Sequence, residues 1–249
     1  ITLIDDMTYY FVGGEKQTDY SFEENGYLYY FDADGIMQVK RSLDKDGWVQ
    51  VDTDWYYIKN KNILKNELLQ SGKYTYFFDH SGKMVVNRYY WISGYNYRFD
   101  QDGHMVIGWY QGKEGDEDVR YYYDAKGHAV NGIQTIEGVT YYFQNGTMKT
   151  KYVFTQEGYF YYFGADGKQK VKKSLDKDGW LQLEDNWYYI DDNQLAKNKF
   201  VKLGNYTYYF NYAGIMYADT MFGVYDSEAE RSGMFYADSQ GHIVTGWHT

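Results

Sequence analysis

The sequence predicts an all-β chain, a β-solenoid of stacked aromatic-rich β-hairpin repeats. Three observations point there. Short aromatic clusters recur along all 249 residues. Most are followed by a Gly-containing turn pair. Tyrosine carries much of the apolar content, with 33 Tyr beside 14 Phe and 7 Trp. Such a chain packs rings instead of an aliphatic core. Each tyrosine also keeps a hydroxyl that needs water or a partner, which suits a thin structure with every ring near the surface.

The clusters run in order from Tyr9-Tyr10-Phe11 and Tyr29-Tyr30-Phe31 to Trp55-Tyr56-Tyr57-Ile58, Tyr74-Thr75-Tyr76-Phe77-Phe78 and Tyr95-Asn96-Tyr97-Arg98-Phe99. They continue through Tyr121-Tyr122-Tyr123, Tyr141-Tyr142-Phe143, Tyr159-Phe160-Tyr161-Tyr162-Phe163, Trp187-Tyr188-Tyr189-Ile190, Tyr206-Thr207-Tyr208-Tyr209-Phe210 and Met234-Phe235-Tyr236. Spacing of roughly 20 to 27 residues is that of stacked repeats. Aromatic triplets favour strands. The pairs that follow, such as Asp34-Gly35, Ser81-Gly82, Asp102-Gly103 and Asp166-Gly167, suit turns that need positive φ. A second short strand is expected to return after each, as at Ile36-Met37-Gln38-Val39 and His104-Met105-Val106-Ile107. Lone two-stranded hairpins are marginal, so they must stack.

A longer repeat overlies the short one. Ser42-Leu43-Asp44-Lys45-Asp46-Gly47-Trp48 returns as Ser174-Leu175-Asp176-Lys177-Asp178-Gly179-Trp180, 132 positions later. The same offset carries Trp55 to Trp187, Asn66 to Asn198 and Met84 to Met216. The organisation expected is a first block at 1–132 and a second, truncated copy at 133–249, together one continuous module.

The net charge of −10 disfavours nucleic acid, and no apolar run is long enough to insert into a membrane. There is no cysteine, hence neither a disulfide framework nor a thiolate metal site. The chain opens inside a repeat at Ile1 and reads as part of a longer protein, its targeting signal elsewhere.

Gly47-Trp48 followed by Trp55-Tyr56-Tyr57, and Gly179-Trp180 followed by Trp187-Tyr188-Tyr189, resemble the cell-wall or choline-binding repeat. The run from Gly132-Ile133-Gln134 to Tyr141-Tyr142-Phe143 resembles the glucan-binding repeats appended to bacterial glucansucrases. The resemblance implies a non-catalytic, secreted or cell-surface bacterial module. Its implied ligand is an α-glucan of dextran type, with choline on a cell-wall polymer as the competing ligand. Gly-Trp pairs stand only at Trp48, Trp109, Trp180 and Trp247, too far apart for cages in consecutive hairpins. That departure favours the glucan branch, whose implied pockets use a stacking tyrosine with Gln and Lys.

The candidate sugar site follows. Trp55 and Tyr57 share one face of a strand, with Tyr56 and Ile58 on the other. Trp48, Gln50, Trp55 and Tyr57 recur as Trp180, Gln182, Trp187 and Tyr189. Gln134, Lys40 and Lys172 join them as polar candidates, with Gln38 and Lys170 near by. Rings stack on pyranose C–H faces, and amides donate to and accept from hydroxyls.

Enzyme chemistry is not indicated for this chain. Asp32/Asp34 and Asp44/Asp46 read as turn residues. His104, His128 and His242 each follow a turn glycine, a repeat position rather than a metal or general-base site. Asp32-Ala33-Asp34-Gly35 does not complete a calcium loop. No cofactor is implied.

Overall fold

The computed structural model describes residues 1–226 and 231–244. It is all-β, about 60% strand, with no helix among the described residues. The chain divides into two compact units, Ile1–Val130 and Asn131–Thr249.

The first unit holds β1 (Thr2–Ile4) to β4 (Glu15–Lys16), two small hairpins built with β2 (Met7–Tyr9) and β3 (Phe11–Val12). Two three-stranded meanders follow. One is β5 (Tyr20–Glu24), β6 (Tyr27–Phe31) and β7 (Met37–Ser42). The other is β8 (Gly47–Val51), β9 (Asp54–Lys59) and β10 (Asn62–Ile63). Three hairpins complete it: β11 (Glu67–Ser71) with β12 (Tyr74–Phe78), β13 (Arg88–Ile92) with β14 (Tyr95–Phe99), and β15 (Gly108–Glu114) with β16 (Glu117–Tyr123).

The second unit begins with β17 (Gly132–Ile136), β18 (Val139–Gln144) and β19 (Thr147–Met148). Next come β20 (Tyr152–Gln156), β21 (Tyr159–Phe163) and β22 (Gln169–Ser174), then β23 (Gly179–Leu183), β24 (Asn186–Asp191) and β25 (Gln194–Leu195). Two hairpins close it: β26 (Lys199–Leu203) with β27 (Tyr206–Phe210), and β28 (Thr220–Asp226) with β29 (Arg231–Ala237).

The aromatic clusters do form strands, and Asn145-Gly146, both at positive φ, makes the expected turn from β18 to β19, but the longer hairpins turn ahead of the cluster. In β5–β6 the tight turn is Asn25-Gly26, both at positive φ, ahead of the aromatic strand. Elsewhere the pairs after the strand sit in a loop, which β7 and β22 still follow as paired strands. Asp100 Oδ1 accepts the N–H groups of Asp102 and His104 at 2.9 and 2.8 Å, and Asp32, Asp79, Asp124, Asn211 and Asp238 repeat this. A carboxylate or amide oxygen that answers two N–H groups lets the chain bend without a ladder. The expected return strand therefore forms in full only as β7 and β22. At His104–Ile107 it shrinks to the single bridge between Phe99 and Met105.

Neighbouring hairpins of a unit touch through that loop. Met84 donates its N–H to Trp55 O and Met105 donates to Thr75 O; in the second unit Met216 donates to Trp187 O and Ile243 to Thr207 O. Side chains from successive strands fill the space between. Leu28, Leu43, Val51, Tyr56, Ile58 and Ile63 form one cluster, and Phe160, Leu175, Leu183, Tyr188, Ile190 and Leu195 its counterpart 132 positions on. The core is thus a chain of small clusters, each closed by the next repeat.

Candidate functional site

Alternation on β9 sends Tyr56 and Ile58 into the core, at 1% and 0% exposure, and leaves Trp55 outside at 37%. Trp48 lies across from Tyr57 in the β8–β9 register, on the same face as Trp55. The Trp48 and Trp55 rings meet edge to face, 6.1 Å apart at 83°. Tyr76, from the next hairpin, makes a third wall, 4.8 Å from Trp48 at 73°. Met84 reaches the same space from the loop after Tyr76. With Thr53, Val86, Gln101 and Asp102 these residues line an open pocket of about 570 Å³.

The second unit repeats it. Trp180 and Trp187 stand 5.9 Å apart at 89°, and Tyr208 lies 4.9 Å from Trp180 at 79°. Met216, Ala218, Asp185, Ser239 and Gln240 complete a pocket of about 480 Å³. The rings and the methionine are the same in both copies. The polar rims match by chemistry rather than by position. Thr53, Gln101 and Asp102 give one hydroxyl, one amide and one carboxylate; Ser239, Gln240 and Asp185 give the same three.

A histidine stands behind each tyrosine wall. His104 stacks on Tyr74, rings 3.6 Å apart and 15° from parallel, and meets Tyr76 edge-on at 5.4 Å. His242 does the same with Tyr206 and Tyr208, and His128 with Tyr95 and Tyr97. The three histidines after turn glycines are therefore stacked repeat residues. Asp100, Asp102 and His104 converge, but Asp100 is engaged by two N–H groups and the His104 ring. Burial, then the neighbouring Tyr74, Asp100 and Asp102, raises the Tyr76 phenol. Burial, then Tyr206 and Asp238, raises Tyr208. Both walls keep their hydroxyl proton at neutral pH.

The structure brings Trp48 with Trp55, and Trp180 with Trp187, into the pockets. Tyr57 and Tyr189 stand behind, against the tryptophans and against Phe78 and Phe210. Gln50 and Gln182 are exposed, opposite Trp55 and Trp187, and do not line the pockets; Gln50 Nε2 donates to Asp52 O at 3.2 Å. Gln134 donates to Asn131 O at 2.7 Å. Lys40 lies over Tyr27 at 4.7 Å, and Lys172 over Tyr159 at 4.4 Å. Trp247 lies outside the described residues. Sequence reasoning missed Tyr76, Tyr208, Gln101 and Gln240, which come from following repeats, and gave no role to Met84 and Met216.

Four segments, residues 22–37, 46–61, 178–193 and 198–216, match the model of the putative cell wall binding repeat. The likeness to the cell wall binding repeat is thus carried by these four segments. Two of the matched segments, 46–61 and 178–193, contain the paired tryptophans of the two pockets. Over nearly its whole length the repeat chain is homologous to streptococcal glucosyltransferases. It is 30% identical over 251 residues to Glucosyltransferase-S of Streptococcus mutans, covering 91% of this chain and 15% of that protein. It is also 30% identical over 205 residues to Glucosyltransferase-S of Streptococcus downei, covering 78% and 14%. The repeats thus span about one seventh of the length of the curated relatives they match. Among solved structures, choline binding protein F of Streptococcus pneumoniae, in the presence of a peptidoglycan analogue, aligns at 23% identity and TM-score 0.46, covering 86% of this chain and 91% of that one.

Proposed function

We propose that this chain is a non-catalytic carbohydrate-binding module, a solenoid of stacked hairpins that grips α-glucan chains of dextran type. It would serve as the accessory glucan-binding part of a secreted or surface-associated glucosyltransferase whose chemistry lies elsewhere. One observation carries the reading: two pockets, 132 positions apart in their tryptophans, keep the same rings and the same trio of rim groups. Aromatic faces suit the C–H side of a pyranose, while amide, hydroxyl and carboxylate suit its hydroxyls. The glucosyltransferase relatives support the same ligand class. Several weak pockets on one polymer yield avidity through effective concentration.

A second reading has its own support. The two tryptophans stand nearly at right angles and the tyrosine closes a third side. A box of rings beside a carboxylate suits a compact quaternary ammonium such as choline, by cation–π attraction.

Electrophoresis through gels that contain dextran, with and without free choline, separates the two. Retardation that choline does not relieve is expected for a glucan module. Free passage through dextran, with choline raising the melting temperature, would replace the first reading by the second.

A further inference from the structure

Glu23 closes a corner of the first unit. Its Oε2 accepts the Ile63 N–H at 3.1 Å, and its Oε1 pairs with Lys65 Nζ at 2.6 Å. The corner recurs 132 positions on, with Leu195 for Ile63 and Lys197 for Lys65. The carboxylate does not recur: Glu23 becomes Thr155.

The rest of the corner is kept. Leu64 and Ala196 donate to Tyr57 O and Tyr189 O, both at 2.9 Å. Asn60 and Asp192 donate to Asp46 Oδ1 and Asp178 Oδ1, at 2.9 and 2.8 Å. The Lys59–Glu67 ion pair returns as Asp191–Lys199 with its charges exchanged. Those bonds fix the orientation of Leu195. Ala196 and Tyr189 form a hydrogen-bonded pair, so the adjacent Leu195–Ile190 pair does not, and the Leu195 N–H turns away from β24. Among the described residues neither that N–H nor the Lys197 ammonium has a partner. Thr155, Leu195 and Lys197 line one groove of about 570 Å³, with Glu157 and Asp192 also on its wall.

We propose that this groove binds a carboxylate group on the Leu195 N–H and the Lys197 ammonium, in the place that Glu23 fills in the first unit. A charged acceptor answers both donors more strongly than a neutral one. Glu157 and Asp192 oppose a bare anion and attract an ammonium, so a ligand that carries both charges fits the groove better than a simple carboxylate. The site is separate from the aromatic pockets and independent of what they bind.

The test is amide NMR on the whole chain, titrated with sodium acetate or with glycine, against sodium chloride at equal ionic strength. A saturable shift of the Leu195 amide with acetate or glycine, and not with chloride, is expected. Glycine should bind more tightly than acetate. Lys197→Ala should weaken binding about tenfold, the effect of losing one charged hydrogen bond. Thr155→Glu should abolish the shift and raise the melting temperature, because it supplies the carboxylate from the chain itself. Glu23→Thr should make the Ile63 amide respond in turn. Absence of a saturable shift, a shift that chloride reproduces, or unchanged binding in Thr155→Glu would overturn the proposal.

Discussion

Gly103 leaves open the space that Met84 occupies: a Cβ added at Gly103 would stand 2.8 Å from the Met84 sulfur. Met84 in turn lines the first aromatic pocket. The loop glycine of one repeat therefore sets how closely it seats on the pocket of the repeat before. Gly241 and Met216 stand in the same relation in the second unit, at 2.6 Å.

Gly103→Ala should cost stability for two reasons. Its φ of +79° is strained for alanine, and the methyl collides with Met84. The expected loss is about 2–3 kcal/mol. Gly94 has a φ of +85° but open space around it. Gly94→Ala should lose only the backbone share, about 1 kcal/mol. Urea midpoints of the two variants isolate the methionine contact. Equal losses would show that the loop does not set the spacing.

Gln101→Ala and Gln240→Ala should each weaken dextran retardation with little change in melting temperature, since both side chains sit on a pocket rim. The expected cost is about 1 kcal/mol per pocket. Gln50→Ala should leave retardation unaltered, because its amide turns back to the Asp52 carbonyl. Loss of retardation in Gln50→Ala alone would move the sugar site off the pocket and onto the outer strand face.

The sequence disclosed the hairpins because each strand pairs with a near neighbour, so propensity and turn signals suffice. It left the tight turn open between two signals, because aromatic strands are flanked on both sides. Asn25-Gly26 and Asp34-Gly35 bracket β6 and each joins it to a paired strand, β5 or β7; the Asp32 carboxylate, which answers the Asp34 and Ile36 N–H groups, makes the second the longer loop. The paired tryptophans were legible as a duplicated motif. Tyr76 and Met84 were not, because they belong to later segments that read as ordinary repeat residues. Comparison of the two blocks held the clue, since both recur as Tyr208 and Met216 at the tryptophans' own offset. Gln101 and Asp102 left no such trace. Their counterparts Ser239 and Gln240 lie beyond an insertion and have different identities.

Removal of one pocket should do less than removal of both. Trp55→Ala or Trp187→Ala takes away one wall, worth about 1 kcal/mol as an aromatic contact. Either variant should bind short oligosaccharides with one of its two sites about fivefold weaker and retain part of the dextran retardation. The double variant should lose retardation nearly completely, because polymer avidity needs more than one site. Calorimetry with a short isomalto-oligosaccharide separates the weakened site from the intact one. A single variant as defective as the double would mean that only one pocket takes glucan.

Alkaline pH should unfold the chain through its buried phenols. Burial, then the hydrogen bond to Glu184 at 2.5 Å and that carboxylate's charge, pushes Tyr162 up to about 12. Burial pushes Tyr123 up to about 12 as well, against the opposing charge of Arg98. An unfolded tyrosine titrates near 10. The folded state thus holds these protons more tightly. The stability they contribute is fully present below pH ~10 and is lost as pH rises toward about 12. Absorbance at 295 nm should show most tyrosines ionising first, with these two appearing only in the last step, together with loss of the near-ultraviolet dichroism. Tyr162→Phe cannot ionise, so in this variant the urea midpoint should fall less steeply between pH 10 and 12. An unchanged slope would place the alkaline instability in other tyrosines.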